Sequence, residues 1–194
     1  MTFEKIRQDY FPFSPTSGIQ IRSVDMKTVY QVTGAISNQV FSPSTDLGLM
    51  PFKRAPDLLR QSLQRHQEQF VIYNANDEPI GWSIGEQRMD DTFIMLWTGI
   101  LPAYQSQGIY TAFLKQFIRY LQALGYVRIT SNHMVNNRAV LIAKLKAGFI
   151  VSGMGLDERI GAMLWLTYFI DKEAEEGYRS AFSLEKYESA NLLK

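Results

Sequence analysis

The chain contains no cysteine in its 194 residues and only two histidines, His66 and His133. The absence of cysteine excludes disulfide bonds, thiolate nucleophiles and cysteine-ligated metals, so we expect no metal site and a protein of the reducing cytoplasm. Long apolar runs are also missing. Residues 162–166 are far too few to cross a bilayer, and residues 1–10 lack the apolar core of a signal peptide. We therefore expect no membrane partner.

The chain also lacks an excess of charge of either sign. It has 20 lysines and arginines against 19 aspartates and glutamates, so no overall field favours nucleic acid as a partner, and we expect none. The composition, 46% hydrophobic and 20% charged, is that of an ordinary globular domain. We predict one domain over residues 1–171, followed by a polar tail or helix over residues 172–194.

Hydrophobic periodicity predicts alternating strands and helices after an irregular leader that contains Pro12, Pro15 and Gly18. The predicted strands are a first one around Ile21, then residues 69–73, 79–89, 92–100, 126–134, 149–154 and 162–170. The predicted helices are residues 25–40, one that begins at Pro56, residues 109–124 and residues 137–147, with a loop over residues 42–55 and His66 on a helix surface. Residues 69–100 are expected to form an antiparallel meander. The continuous hydrophobicity of residues 162–170 favours a strand covered on both sides, with a second subunit as one candidate cover.

The most informative segment follows the apolar strand that ends at Ile100. A short polar loop there opens a long helix, whose first amides have no intrahelical partner and lie at the positive end of the helix dipole. An anion is the natural ligand of such a loop. Gly108 allows close approach of the backbone, although tight turn geometry alone also explains a glycine there. The expected phosphate ligands are the backbone amides of Gln107, Gly108, Ile109 and Tyr110 and the side-chain amide of Gln105.

Two motifs resemble those of the GNAT superfamily of acetyl-CoA-dependent N-acetyltransferases. Residues 105–110, QSQGIY, match the phosphate loop of that family at Gln105 and Gly108, whereas Tyr110 stands where the family has glycine or alanine. Residues 136–139, NNRA, and 146–149, KAGF, match its asparagine-rich helix start and the end of that helix. The order of predicted elements extends the resemblance over nearly the whole chain.

The resemblance implies an α+β fold of the α/β sandwich type, with a mixed, mostly antiparallel sheet of about seven strands and helices on both faces. It also implies that the strand ending at Ile100 and the strand through Ser131 splay apart, and that the arm of acetyl-CoA pairs with the first. Thr98 and Ile100 are then close to the thioester, while Asn137 and Lys144 contact the cosubstrate from the following helix. Thr98 is equally well a buried hydroxyl with a protein partner, whereas for Asn137 the helix cap is the favoured interpretation.

Acetyl transfer requires a neutral amine, so a base must take its proton. His133 and Glu86 are the candidates, each with a structural alternative: a hydrogen-bonding histidine and a solvated carboxylate. The tyrosine that many family members use to protonate the departing thiolate has no counterpart, because Ala143 and Lys144 occupy that region. Tyr104 and Tyr168 are the possible substitutes.

The sequence thus predicts transfer of an acetyl group from acetyl-CoA to a primary amine of a small molecule or peptide. Two alternatives remain: a non-catalytic sensor that keeps the cleft, and a homodimeric interaction module. By resemblance, residues 41–53 and the hairpin at residues 157–160 shape the acceptor pocket. Phe41, Phe52 and Trp97 would make that pocket apolar or aromatic.

Overall fold

The computed structural model describes residues 2–41, 65–89, 91–158 and 160–181. Within these ranges, seven strands form one sheet and five helices pack around it. The strands are β1 (Gln20–Ser23), β2 (Gln67–Tyr73), β3 (Pro79–Met89), β4 (Thr92–Ile100), β5 (Arg128–Met134), β6 (Ile150–Asp157) and β7 (Gly161–Phe169). The helices are α1 (Phe3–Tyr10), α2 (Met26–Val40), α3 (Ile109–Ala123), α4 (Arg138–Lys146) and α5 (Lys172–Ala181). The expected fold class is confirmed; the predicted helix that begins at Pro56 and the loop at residues 42–55 lie outside the described residues.

The strands are arranged in the order β1-β2-β3-β4-β5-β7-β6. Neighbouring strands are antiparallel at every step except between β4 and β5, which run parallel. The predicted meander of β2, β3 and β4 is therefore confirmed. Because parallel neighbours cannot be joined by a hairpin, α3 carries the chain across from β4 to β5.

Helices cover both faces of the sheet because alternate side chains of the central strands point to opposite sides. On one face, Phe70 and Phe93 pack with the buried side of α3, which includes Phe113 and Phe117. On the other face, Trp82 packs with one side of α2. Asp25 caps α2 by accepting a hydrogen bond from the Thr28 amide at 2.7 Å.

Two predictions about the first part of the chain were wrong. The leader was expected to be irregular, but α1 forms within it, capped by Thr2. This helix buries no side chain, so it leaves only a weak hydrophobic pattern in the sequence. His66 was expected on a helix surface, but it precedes β2 in extended chain, with its ring stacked between Phe3 and Tyr126.

A buried carboxylate explains both the formation of α1 and the position of His66. Glu68 is 1% exposed and accepts hydrogen bonds from Arg7 Nη2 at 2.9 Å and from the Tyr120 hydroxyl at 2.5 Å. His66 Nε2 lies 2.7 Å from the same carboxylate, and its Nδ1 lies 2.7 Å from the Tyr126 hydroxyl. Burial alone would raise the pKa of Glu68, but the hydrogen bonds from His66, Arg7 and Tyr120 hold it below its ordinary value. The network fixes α1 against the sheet.

We expect Glu68→Gln to lower the free energy of unfolding by about 3 kcal/mol at pH 7, because Arg7 then loses its buried counter-ion. Urea denaturation measures this change. Glu86→Gln is the control: Glu86 is a partly exposed carboxylate on the adjacent strand, 3.7 Å from Arg65, and its loss should cost less than about 1 kcal/mol. The difference in unfolding free energy between the wild type and Glu68→Gln should become smaller in acid. The wild type loses this stabilisation as the pH falls through the lowered pKa of Glu68. Equal effects of the two substitutions would contradict this account.

The polar end of the chain begins with a helix, α5, which contacts the sheet through Tyr178. The Tyr178 ring lies 5.3 Å from that of Phe169, and its hydroxyl donates to the Ser152 carbonyl at 3.3 Å. The division into a domain of residues 1–171 and a separate tail stays a prediction. Among the helices described, none is long and apolar enough to cross a membrane.

Candidate active site

A wedge opens in the sheet where β4 and β5 separate. The two strands pair only from Thr92 to Met95 and from Arg128 to Ser131. Beyond that point β4 pairs only with β3, and β5 pairs only with β7. One edge of β4 from Leu96 onward is therefore open to an added strand, as the sequence analysis expected.

A cleft of about 2150 Å³ runs through this wedge. Its walls come from α2, the outer half of β4, residues 104–111, the end of β5 and α4. A bulge in β4 shapes the opening: Ile84 pairs with Trp97 and Gly85 with Met95, so Leu96 is the extra residue. Leu96 and Trp97 consequently both project outward, and Trp97 is 59% exposed.

The predicted phosphate loop forms at the mouth of the cleft. Ser106 and Gly108 both have left-handed backbone conformations, with φ of 60° and 79°. The first helical hydrogen bond of α3 runs from the Ala112 amide to the Gly108 carbonyl. Within the described part of the chain, the backbone amides from Ser106 to Thr111 have no acceptor. A Cβ on Gly108 would meet nothing within 4 Å, so these donors surround open space that an anion can fill.

The side chains of the loop brace it. Gln105 Nε2 donates to the Ile100 carbonyl and Gln107 Nε2 to the Ala103 carbonyl, both at 2.8 Å. Gln105 was expected to donate to phosphate, but this bond commits one of its two amide hydrogens to the end of β4. Ile109 is buried in the core. What the loop presents to a ligand is therefore chiefly backbone.

Tyr110, the residue of the loop that departs from the family motif, packs inward. Its ring is partly buried against the main hydrophobic core, and burial raises the pKa of its hydroxyl. Tyr110 also lines the cleft, and its backbone amide is one of the unpartnered donors of the loop. The large residue is thus compatible with anion binding.

Three further expected contacts line the cleft. The Thr98 hydroxyl lies 2.9 Å from the Ser83 hydroxyl, so it has the protein partner that the sequence allowed. Ile100 also lines the cleft but is buried. Asn137 occupies the expected N-cap position of α4, but its side chain makes no capping hydrogen bond. The side-chain amide of Asn137, which lines the cleft, is therefore not used by the helix.

Lys144 is the most unusual residue of the cleft. It lines the cleft wall on α4, yet it is only 1% exposed. Its Nζ lies 3.2 Å from Met95 Sδ and 4.4 Å from the centre of the Phe149 ring. No carboxylate among the described residues pairs with it. Burial lowers the pKa of Lys144 from 10.5 to about 7.

The two candidate bases lie in different places. His133 lines the cleft, with Nε2 3.1 Å from the Ser131 hydroxyl. Burial and then the charge of Lys144 lower the pKa of His133 to about 4, so the imidazole is neutral at pH 7. Glu86, on β3, accepts a hydrogen bond from Gln67 and lies 3.7 Å from Arg65. It is not among the described residues that line the cleft. The structure therefore brings His133, but not Glu86, to the wedge.

Of the two tyrosines proposed as proton donors to the departing thiolate, only one lines the cleft. Tyr104 lines the cleft, but its hydroxyl accepts a hydrogen bond from Asn74 Nδ2 at 3.1 Å. Tyr168 packs on Phe149 and is not among the lining residues described. Met95, which was not singled out from the sequence, lies opposite Ser131 at the point where the strands part. Its pairing with Ser131 depends on the register of two parallel strands, which leaves no local signal in the sequence.

The acceptor end of the cleft is partly described. Phe41 lines it with its ring 5.9 Å from that of Trp82, and Trp97 and Ile160 line it too. The remainder of the predicted acceptor loop, including Phe52, lies outside the described residues.

Comparison with known proteins identifies the family to which this chain belongs. The sequence profile described as "Acetyltransferase (GNAT) family" matches residues 41–149, more than half of the chain. The chain belongs to the GNAT acetyltransferase family. A comparison with curated protein sequences found no significant match.

Solved GNAT structures share the fold at low sequence identity. The ribosomal-protein-S18-alanine N-acetyltransferase of Escherichia coli is 14% identical with a TM-score of 0.60, covering 79% of this chain and 94% of its own. The spermidine N-acetyltransferase of Vibrio cholerae, solved with CoA and spermine, is 13% identical with a TM-score of 0.56, covering 79% and 96%. The ribosomal-protein-S5-alanine acetyltransferase of Vibrio fischeri is 14% identical with a TM-score of 0.59, covering 82% and 96%. GNAT acetyltransferases in general use acetyl-CoA as cosubstrate, and these neighbours differ in their acceptors.

Proposed function

We propose that this GNAT protein transfers the acetyl group of acetyl-CoA to a primary amine of a small molecule or peptide by direct attack. The observation that carries the proposal is the combination of unpartnered amides around Gly108 with the open edge of β4. The amides suit a pyrophosphate, and the strand edge suits the amide groups of the pantetheine arm. Both features lie on one cleft, so a single extended molecule satisfies them together.

In this reaction the protein chiefly positions the reactants. The pyrophosphate on the loop and the arm along β4 direct the thioester toward the point where the strands diverge, near Thr98 and Met95. Such orientation supplies roughly 7 to 11 kcal/mol of a bimolecular barrier. His133 is neutral at pH 7 and faces the same cleft, so it accepts the proton of the attacking amine, directly or through water.

Release of free CoA tests the proposal. Because the chain has no cysteine, a thiol reagent detects the CoA product without any background from the protein. The amine panel should include polyamines, aromatic amines, amino acids and peptides with free N-termini, since Phe41 and Trp97 favour an apolar or aromatic acceptor. We expect acetyl-CoA binding by calorimetry and amine-dependent thiol release well above hydrolysis. Tight binding without turnover on any amine would favour a sensor, and absence of CoA binding would favour an interaction module.

Self-association is a separate proposal that the β6–β7 hairpin supports. The last strand was expected to be covered on both sides, but Trp165 on β7 is 46% exposed in the described chain, and Met154 and Leu156 on β6 are 70% and 86% exposed. Exposed apolar side chains on one hairpin are typical of an interface between subunits. We retain a homodimer and a cytoplasmic location as predictions.

A further inference from the structure

A thioester releases its sulfur as a thiolate, which a nearby proton donor can neutralise, and the buried amine of Lys144 lies where β4 and β5 part. Met95, whose Sδ is 3.2 Å from Lys144 Nζ, is the last β4 residue paired with β5. The amine is therefore at the apex of the wedge, between the two diverging strands. If acetyl-CoA extends along β4 from the loop at Gly108, as the proposed function requires, its reactive end would be directed toward this apex.

We propose that Lys144 is the general acid of the reaction and donates its Nζ proton to the sulfur of CoA as the thioester breaks. The inference rests on the proposed function and deepens it at the same site. From the sequence, Lys144 was expected only as a contact to the cosubstrate, with Tyr104 and Tyr168 as the possible proton donors.

The surroundings of Lys144 suit a donor that must give up its proton. Its neighbours are the Met95 thioether on β4, the Phe149 ring at the start of β6 and His133 on β5. A thioether is a weak hydrogen-bond acceptor, so nothing among the described residues holds the ammonium proton strongly. His133 is the titratable group whose pKa responds to the charge of Lys144, and it is neutral at pH 7. With its pKa near 7, Lys144 is about half protonated at that pH and is easily reprotonated from solvent.

The other hydroxyls of the cleft are placed less well for this role. Asn74, in the turn between β2 and β3, holds the Tyr104 hydroxyl near the end of β4, away from Met95. The Tyr110 ring is partly buried against the core, and burial raises the pKa of its hydroxyl. His133 carries no ionisable extra proton at pH 7, because its pKa is about 4. Lys144 is the buried donor that remains among the described lining residues.

The step balances in atoms and charge. The neutral amine of the acceptor attacks the thioester carbonyl carbon, a C–N bond forms, and the carbonyl electrons move to oxygen. As the tetrahedral species collapses, the C–S bond breaks and its electron pair stays on sulfur. Sulfur takes the proton from Lys144 Nζ, and the acceptor nitrogen loses its own proton to His133 or water. The products are the N-acetyl amine and CoA thiol, and solvent returns a proton to Lys144.

The test begins with Lys144→Met, which keeps the length and apolar stem of the side chain and removes its proton. We expect kcat to fall about 10- to 100-fold, the low end for general acid catalysis because a thiolate is a tolerable leaving group. The KM for acetyl-CoA should change less than about threefold. The wild-type kcat should fall on the alkaline side with loss of the Lys144 proton, and this limb should be missing in the variant. Lys115→Met, on α3 and exposed outside the cleft, is the control.

The absence of cysteine allows a chemical rescue at this position. Lys144→Cys places one thiol in the protein, which is alkylated in denaturant with 2-bromoethylamine and refolded to restore an amine at nearly the lysine length. Alkylation with 1-bromopropane restores a similar shape without a proton. We expect only the amine to recover kcat, with its alkaline limb moved to lower pH because a thioether makes the amine less basic.

Three results would overturn the proposal. The first is a Lys144→Met protein with wild-type kcat and an unchanged pH profile. The second is equal rescue by the amine and the propyl group, which would assign Lys144 a packing role. The third is an acetyl group on Lys144 in the intact protein during turnover, which would make it a nucleophile. Failure of the proposed function is distinct from all three, since it appears as a wild type that binds acetyl-CoA without turnover or does not bind it.

Discussion

Gly108→Ala is expected to raise the Kd for acetyl-CoA about 100-fold, equivalent to about 2.7 kcal/mol. Gly108 adopts φ of 79° at the start of α3 and faces open space. A Cβ there projects into the volume that the amides surround, and relaxation away from the left-handed region turns those amides aside. Hydrogen bonds to a charged group are worth about 1.5 to 3 kcal/mol each, so losing one or two accounts for the effect. Calorimetry with acetyl-CoA measures it.

The opposite end of the same helix provides a matched control. Gly125 follows α3 with φ of 92°, and a Cβ there also meets nothing within 4 Å. Gly125→Ala should cost about the same conformational strain, roughly 1 to 2 kcal/mol of stability, and leave acetyl-CoA binding unchanged. If both variants lost affinity equally, strain and not the loop would be responsible, and the assignment of the phosphate site would fail.

Lys144→Met should stabilise the protein by about 4 kcal/mol at pH 7. The pKa of Lys144 falls from 10.5 to about 7 on folding, so the folded chain binds fewer protons than the unfolded chain between these values. Stability of the wild type therefore rises with pH through this window, and the cost of burying the amine is fully present below pH 7. The advantage of the variant should shrink to about 1 kcal/mol near pH 9.5.

Urea denaturation of wild type, Lys144→Met and Lys115→Met between pH 7 and 10 measures this difference. Working from pH 7 upward keeps His133 neutral in the folded chain, where its pKa is about 4, and mostly neutral in the unfolded chain, where its pKa is 6.5. The exposed control should track the wild type at every pH. A Lys144→Met protein with no gain in stability, or with a gain independent of pH, would show that the amine is not desolvated.

The sequence was informative wherever periodicity was strong. The meander and α3 were predicted to within two residues because their apolar positions recur with a clear period. Helix α4 was predicted equally well because Asn137 and Gly148 mark its ends. Helix α1 escaped prediction because it buries nothing. The position of His66 depends on Glu68 and Tyr126, and a contact between residues 60 positions apart leaves no local pattern.

The candidate site was predicted as a set of residues rather than as an arrangement. The loop at Gly108 could be found because strand, turn and helix follow one another in the chain. The directions of the Gln105 and Tyr110 side chains could not, because the Ile100 carbonyl and the core decide them. The buried state of Lys144 has a faint signal: it follows Leu141 by three residues, which places both on one side of α4.

The single parallel pair in the sheet has a consequence for where chemistry can occur. Since β4 and β5 run in the same direction, the chain must leave the end of β4 and return by a crossover, and α3 is that crossover. The first turn of this helix therefore has to start beside the gap that its own strands create. The connectivity of the chain therefore keeps the loop at Gly108 beside the wedge between β4 and β5. Most side chains around the loop and the wedge could change without moving either of them.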